Sequence, residues 1–175
     1  MNWDKATDIM VYTAIATAGI LVVLAIYQWI TRKSFKKIDK ALIALIVPAV
    51  LVVITYFLFD HVFIWNTRPD GSGEVSFPST HTMITATVFF CTAIILPKYI
   101  KSKPLLICLD FVMFVFIILV PVGRVLANKH WVSDCIGAII FSALFAGIYY
   151  FTVKNLEESK TSHKLSKNSK EQKDE

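Results

Sequence analysis

Residues 105–122, LLICLDFVMFVFIILVPV, decide the fold. Asp110 is the one charged residue among them, and a run this apolar approaches the roughly 20 residues that a helix needs to cross the hydrocarbon of a bilayer. A water-facing helix would carry a polar face at a 3.6-residue period; this run has none. Working outward, four further runs of spanning length occupy residues 9–30, 41–62, 79–99 and 131–153. Asp60 and His61 mark the end of the second. The third becomes strongly apolar only from Ile84, so its helix is expected to begin near Ser79. With 55% of the chain hydrophobic, these runs predict an all-α, polytopic transmembrane bundle of about five spans. The first run is read as a retained span and not a cleaved signal. Signal apolar cores run about 7–15 residues, and this one is longer and leads straight into a basic loop.

The basic residues set an expected orientation. Arg32, Lys33, Lys36, Lys37 and Lys40 fall in one loop, Lys98, Lys101 and Lys103 in another, and further lysines follow from Lys154. These segments alternate with loops holding only Lys5, Arg68, Arg124 and Lys129. Short basic loops stay cytoplasmic, which predicts a plasma-membrane protein with its N-terminus outside and its C-terminus inside. Topology and anionic lipid account for the net charge of +5 without a nucleic-acid partner. A transmembrane domain is expected over 1–155. The remaining 156–175, rich in Lys, Ser, Glu and Asn, has too little apolar content to fold alone and is expected to be a disordered cytoplasmic tail. Cys91, Cys108 and Cys135 are an odd number without metal-ligand spacing, so no metal or other cofactor is expected.

The two outer loops hold most of the chain's catalytic side-chain types: Arg68, Ser79, Thr80, His81, Arg124, His130 and Asp134, with His61 just before them. Arginine carries a permanent charge and a donor fork that matches phosphate oxygens. In Phe77-Pro78-Ser79-Thr80-His81, Pro and Ser suit a helix start, whose unpaired N–H groups can cradle an anion. His81 would there be close enough to give a proton to a departing oxygen. In Gly123-Arg124-x5-His130-x3-Asp134, a helix starting near Lys129 would bring His130 and Asp134 onto one face. The carboxylate could then set the imidazole tautomer while the other ring nitrogen attacks phosphorus. A transporter would set its ionisable groups near the midplane, often in broken helices; these sit at one surface, the non-cytoplasmic one.

Taken in order, His61-x6-Arg68-Pro69, Pro78-Ser79-Thr80-His81 and Gly123-Arg124-x5-His130-x3-Asp134 resemble the type 2 phosphatidic acid phosphatase superfamily. That family's pattern is Lys-x6-Arg-Pro, Pro-Ser-Gly-His and Ser-Arg-x5-His-x3-Asp. The resemblance implies that His130 forms a phosphohistidine, that Asp134 orients it and that His81 protonates the leaving group. Arg68, Arg124 and Ser79, with backbone near Thr80, would hold the phosphate, and no metal takes part. His61 stands in the family's lysine position, Thr80 in that of Gly and Gly123 in that of Ser. Five spans stand where membrane members usually have six. The implied substrates are lipid phosphates or diphosphates: undecaprenyl diphosphate first, phosphatidylglycerophosphate or phosphatidate next. A lipid phosphotransferase is a further possibility within the same chemistry.

Overall fold

The computed structural model describes the backbone of residues 2–171 and the side chains of residues 2–159. Its helices are α1 (Trp3–Arg32), α2 (Lys40–Ala44), α3 (Ile46–His61), α4 (Thr80–Tyr99), α5 (Lys103–Leu126) and α6 (Val132–Glu171). Five segments of the described chain are long and apolar enough to cross a membrane: Trp3–Arg32, Lys40–His61, Thr80–Tyr99, Lys103–Leu126 and Val132–Ser159. The expectation for the 156–175 tail falls largely on residues whose side chains lie outside the described set.

Pro48 explains why the second span is two helices. A proline removes the hydrogen bond to the carbonyl four residues earlier and crowds it; that carbonyl belongs to Ala44, where α2 ends. The third span begins as expected, with Ser79 as the residue before α4. The fifth begins later than expected, at Val132. His130 therefore lies in the turn before α6, and its spacing to Asp134 is not a shared helix face.

The molecule is apolar outside and partly polar within. Ile20, Val23, Ile107, Phe111, Ile140 and Phe151 are exposed, while Thr7, Thr85, Thr87, Ser142, Arg124 and Asp134 are buried. Lipid chains solvate the first group, and the second must find partners inside the protein. The central helix α4 packs on α1, α3, α5 and above all α6. Between α4 and α6, Thr87 Oγ1 donates to Ser142 Oγ at 3.0 Å, and Ser142 Oγ lies 2.8 Å from the Ala138 carbonyl and 3.0 Å from that of Met83.

The up-and-down path brings the starts of α1, α4 and α6 to the same end of the bundle as the ends of α3 and α5. The opposite end is fastened by Asp39. Its carboxylate accepts from Lys98 Nζ at 2.7 Å and Tyr99 Oη at 3.0 Å, and its N–H donates to Gln28 Oε1 at 2.9 Å.

At the end of the bundle that carries the expected site residues, the ring of Phe77 rests directly on Gly137 of α6, so a Cβ there would lie 2.4 Å from Phe77 Cε2. Phe77 also meets Phe59 edge-on, with centroids 5.0 Å apart. Gly137→Leu is accordingly expected to lower the unfolding midpoint in detergent, by an overpacking cost of about 1–3 kcal/mol. Gly147→Leu, which meets nothing within 4 Å, should leave the midpoint in place; equal effects would show that the Phe77 contact is not what makes Gly137 special.

Candidate active site

The loop between α3 and α4 is a small hairpin. Thr67 and Val75 form an antiparallel bridge, Arg68 N–H donates to the Glu74 carbonyl at 2.9 Å, and Ser76 N–H donates to the Asn66 carbonyl at 2.8 Å. Gly71 and Gly73 form its tip at φ of 78° and 74°, left-handed values that favour glycine. The tip is tied down, where its composition suggests a flexible connector. Asp70 accepts from Ser72 N–H at 3.0 Å and from Lys129 Nζ at 2.9 Å, which holds its carboxyl well below the usual range. Trp131 Nε1 donates to the Thr67 carbonyl at 2.9 Å. The hairpin that carries Arg68 is thereby fastened to the turn that carries His130.

Asp134 is fully buried and organises this junction. Its Oδ2 accepts from Trp131 N–H at 2.8 Å, closing the start of α6, and from the Ser76 hydroxyl. A carboxylate in the first helical turn reaching back to an unpaired N–H satisfies both partners. His130 Nδ1 is 3.7 Å from Asp134 Oδ2, too far for a hydrogen bond. The direct partner of Nδ1 is the Ser76 carbonyl at 2.8 Å. A carbonyl only accepts, so Nδ1 carries the proton and Nε2 of the neutral ring keeps the lone pair. Asp134 thus acts on His130 through Ser76. Sequence reasoning missed Ser76, because a backbone carbonyl has no side-chain signature.

Burial, followed by the positive charge of Arg124, pushes the His130 imidazole down to about 4. The Ser76 hydrogen bond pulls weakly the other way. The ring is held neutral at physiological pH, the state a nitrogen nucleophile requires.

Beside it lies a cavity of about 280 Å³ lined by Tyr56, Asp60, Arg68, Glu74, Thr80 and His130, among others. Arg68 pairs with the exposed carboxylate of Glu74 at 2.5 Å. The buried Nε–H groups of Arg68 and Arg124 have no acceptor among the described residues, an arrangement that calls for an anion. Thr80 opens α4, and no Ser79 side-chain cap satisfies that helix start.

The other expected site residues lie elsewhere. Ser79 is buried, with its Oγ 3.1 Å from Thr82 Oγ1 and its N–H donating to the Asp134 carbonyl; it builds the wall and does not line the cavity. His61 is not brought to the cavity. Successive helical residues point about 100° apart, and it is Asp60 that faces inward, leaving the His61 side chain 61% exposed beside Phe57. His81 and Arg124 turn toward α1. Arg124 Nη1 donates to Asp4 Oδ1 at 2.7 Å, and His81 Nε2 donates to Asp8 Oδ1 at 3.0 Å. Asp4 and Asp8 were not among the expected residues; two acids one turn apart at the N-terminal end of the first span were the available signal.

The sequence pattern of the PAP2 superfamily matches residues 57–158. A solved structure, described as the crystal structure of the first transmembrane PAP2 type phosphatidylglycerolphosphate phosphatase from Bacillus subtilis, superposes with a TM-score of 0.62. The two are 23% identical, over 89% of this chain and 76% of that one. No curated protein matches the chain.

With ¹⁵N-labelled histidine, the His130 ring should remain neutral, with its proton on Nδ1, down to about pH 4. Arg124→Gln should move this midpoint upward. A wild-type midpoint near the free-histidine value of about 6.5 would mean that water hydrates the ring and that Arg124 does not act on it.

Proposed function

We propose that this chain, which belongs to the PAP2 superfamily, is a membrane lipid phosphatase that removes the terminal phosphate of an isoprenoid lipid diphosphate, converting undecaprenyl diphosphate to undecaprenyl phosphate. The observation that carries the reading is the His130 ring, proton-locked at Nδ1 by the Ser76 carbonyl, beside a cavity with Arg68 in its wall.

The reaction runs in two displacements. His130 Nε2 attacks the terminal phosphorus, the N–P bond forms, and the bond from that phosphorus to the bridging oxygen breaks, with the lipid monophosphate as leaving group. His81 gives its proton to the departing oxygen. Water then attacks the phosphohistidine, His81 takes the proton from that water, the N–P bond breaks and inorganic phosphate leaves. Asp134 holds Ser76 and through it the nucleophile, and the positive charges near His130 stabilise the charge that develops on the phosphoryl oxygens. Arg68 exchanges the exposed Glu74 carboxylate for phosphate. Arg124, whose Nε–H is free, adds the second guanidinium, and Thr80 contributes the start of α4.

Arg68 and Arg124 both serve the transferred phosphoryl group, and the diphosphate reading is supported by the outward-facing site that the basic inner loops imply. Tyr56 and Asp60 in the cavity wall support a second reading: they can accept or donate hydrogen bonds to a glycerol headgroup, as in phosphatidylglycerophosphate. The basic inner loops support an outward-facing site on the non-cytoplasmic surface.

Purified protein in detergent should release phosphate from undecaprenyl diphosphate with a higher kcat/KM than from phosphatidylglycerophosphate or phosphatidate. His130→Ala should remove this activity and the acid-labile phosphoenzyme together while the protein stays folded. Faster turnover of phosphatidylglycerophosphate would select the second reading, and unchanged turnover in His130→Ala would exclude the nucleophile. For the orientation, a reporter active only in the cytoplasm should be active when fused to the C-terminus; a silent fusion, with an active fusion in the 62–79 loop, would reverse it.

A further inference from the structure

The N-terminal helix does more than cross the membrane. Its 30 residues measure about 45 Å at 1.5 Å per residue, against a hydrocarbon thickness of about 30 Å. Its first turns can therefore stand at headgroup level beside the site. There Asp4 and Asp8 flank Thr7, which is fully buried and whose hydroxyl is satisfied by the Trp3 and Asp4 carbonyls at 3.0 and 2.8 Å. The acids divide Arg124 and His81 between them. Asp4 Oδ1 is 2.7 Å from Arg124 Nη1, while Asp8 Oδ1 is 3.0 Å from His81 Nε2 and 3.8 Å from Arg124.

We propose that Asp8 is a positioning residue for His81, and that Gly123 exists to let α1 deliver it. The inference rests on the phosphatase reading above. A carboxylate only accepts, so Asp8 keeps a proton on His81 Nε2 and leaves Nδ1 as the nitrogen that exchanges a proton with the reactants. As the P–O bond breaks, its electron pair goes to the leaving oxygen and the Nδ1 proton follows; the neutral ring, still bonded to Asp8 through Nε2, then accepts the proton of the attacking water at Nδ1.

Gly123 stands where the family pattern carries serine. A Cβ at this position would lie 2.5 Å from Thr7 Cγ2 and 3.3 Å from Trp3 Cε3, so any larger residue must displace the first turns of α1. The loss of a hydroxyl at 123 and the gain of a docked α1 are one exchange.

The test compares leaving groups, using the full chain in detergent. Phosphatidate, a slower substrate in the reading above, releases an alkoxide that needs a proton; 4-nitrophenyl phosphate releases a phenolate that does not. Asp8→Asn is expected to lower kcat for phosphatidate at least about tenfold beyond its effect on the aryl ester, as loss of organised general acid catalysis requires. Asp8→Glu should recover part of that difference, and Gly123→Ser should reproduce the loss by moving α1. Equal losses on both esters would reduce Asp8 to a structural ion pair and overturn the proposal. A faster Asp8→Asn enzyme with tighter inhibition by inorganic phosphate would also overturn it, making the carboxylate a competitor for the phosphate cradle. Wild-type protein that releases phosphate from neither undecaprenyl diphosphate nor either ester would remove the phosphatase reading itself, a failure distinct from both.

Discussion

A carboxyl group sealed from water must find its hydrogen-bond partners inside the protein, and Asp134 finds enough of them to organise the end of the bundle that carries the candidate site. It closes the first turn of α6 through Trp131 N–H and grips the Ser76 hydroxyl. Its backbone carbonyl accepts from Ser79 N–H. Those three contacts join the start of α6, the end of the hairpin and the start of α4. The His130 tautomer follows, because the carbonyl that fixes it belongs to the residue whose hydroxyl Asp134 holds. Losing this carboxylate would loosen the start of α6 and the end of the hairpin at once, so its effect on chemistry and its effect on local structure share one cause.

Lipid supplies the second constraint. Without water among the helices, packing depends on close approach and on internal pairing of polar groups. Glycine provides the approach at two places that bear on the site: Gly137 receives Phe77, and Gly123 receives the first turns of α1. Threonine and serine provide the pairing, as between Thr87 and Ser142. The N-terminal helix is the clearest product of both. It is anchored by a buried Thr7 and an unobstructed Gly123, and it presents Asp4 and Asp8 to Arg124 and His81.

The motif reading went furthest where one residue type does the work by itself. Arg68, Thr80 and His130 were named from sequence and share one cavity. It fell short where direction or backbone decides. His61 and Asp60 are neighbours in the chain, yet only Asp60 lines the cavity, while the position aligned with the family lysine stays largely exposed, 3.4 Å from the Asp60 carboxylate. The spacing of His130 and Asp134 suggested a shared helix face, but α6 begins at Val132 and the link between them passes through Ser76. Ser79 was expected on the phosphate and instead faces the interior, 3.1 Å from Thr82.

The sequence by itself determined the membrane environment, the number of spans, the family and the end of the bundle where polar chemistry gathers. Each of those follows from composition along the chain: apolar runs of spanning length, loops between them, and residue types at set intervals. Only the tertiary structure decided which groups face one another. The Ser76 carbonyl and His130 are 54 positions apart, Asp8 and His81 are 73 apart, and Asp4 and Arg124 are 120 apart. No local period encodes such meetings, because they arise when separate helices pack and their few buried polar groups are left with only each other as partners.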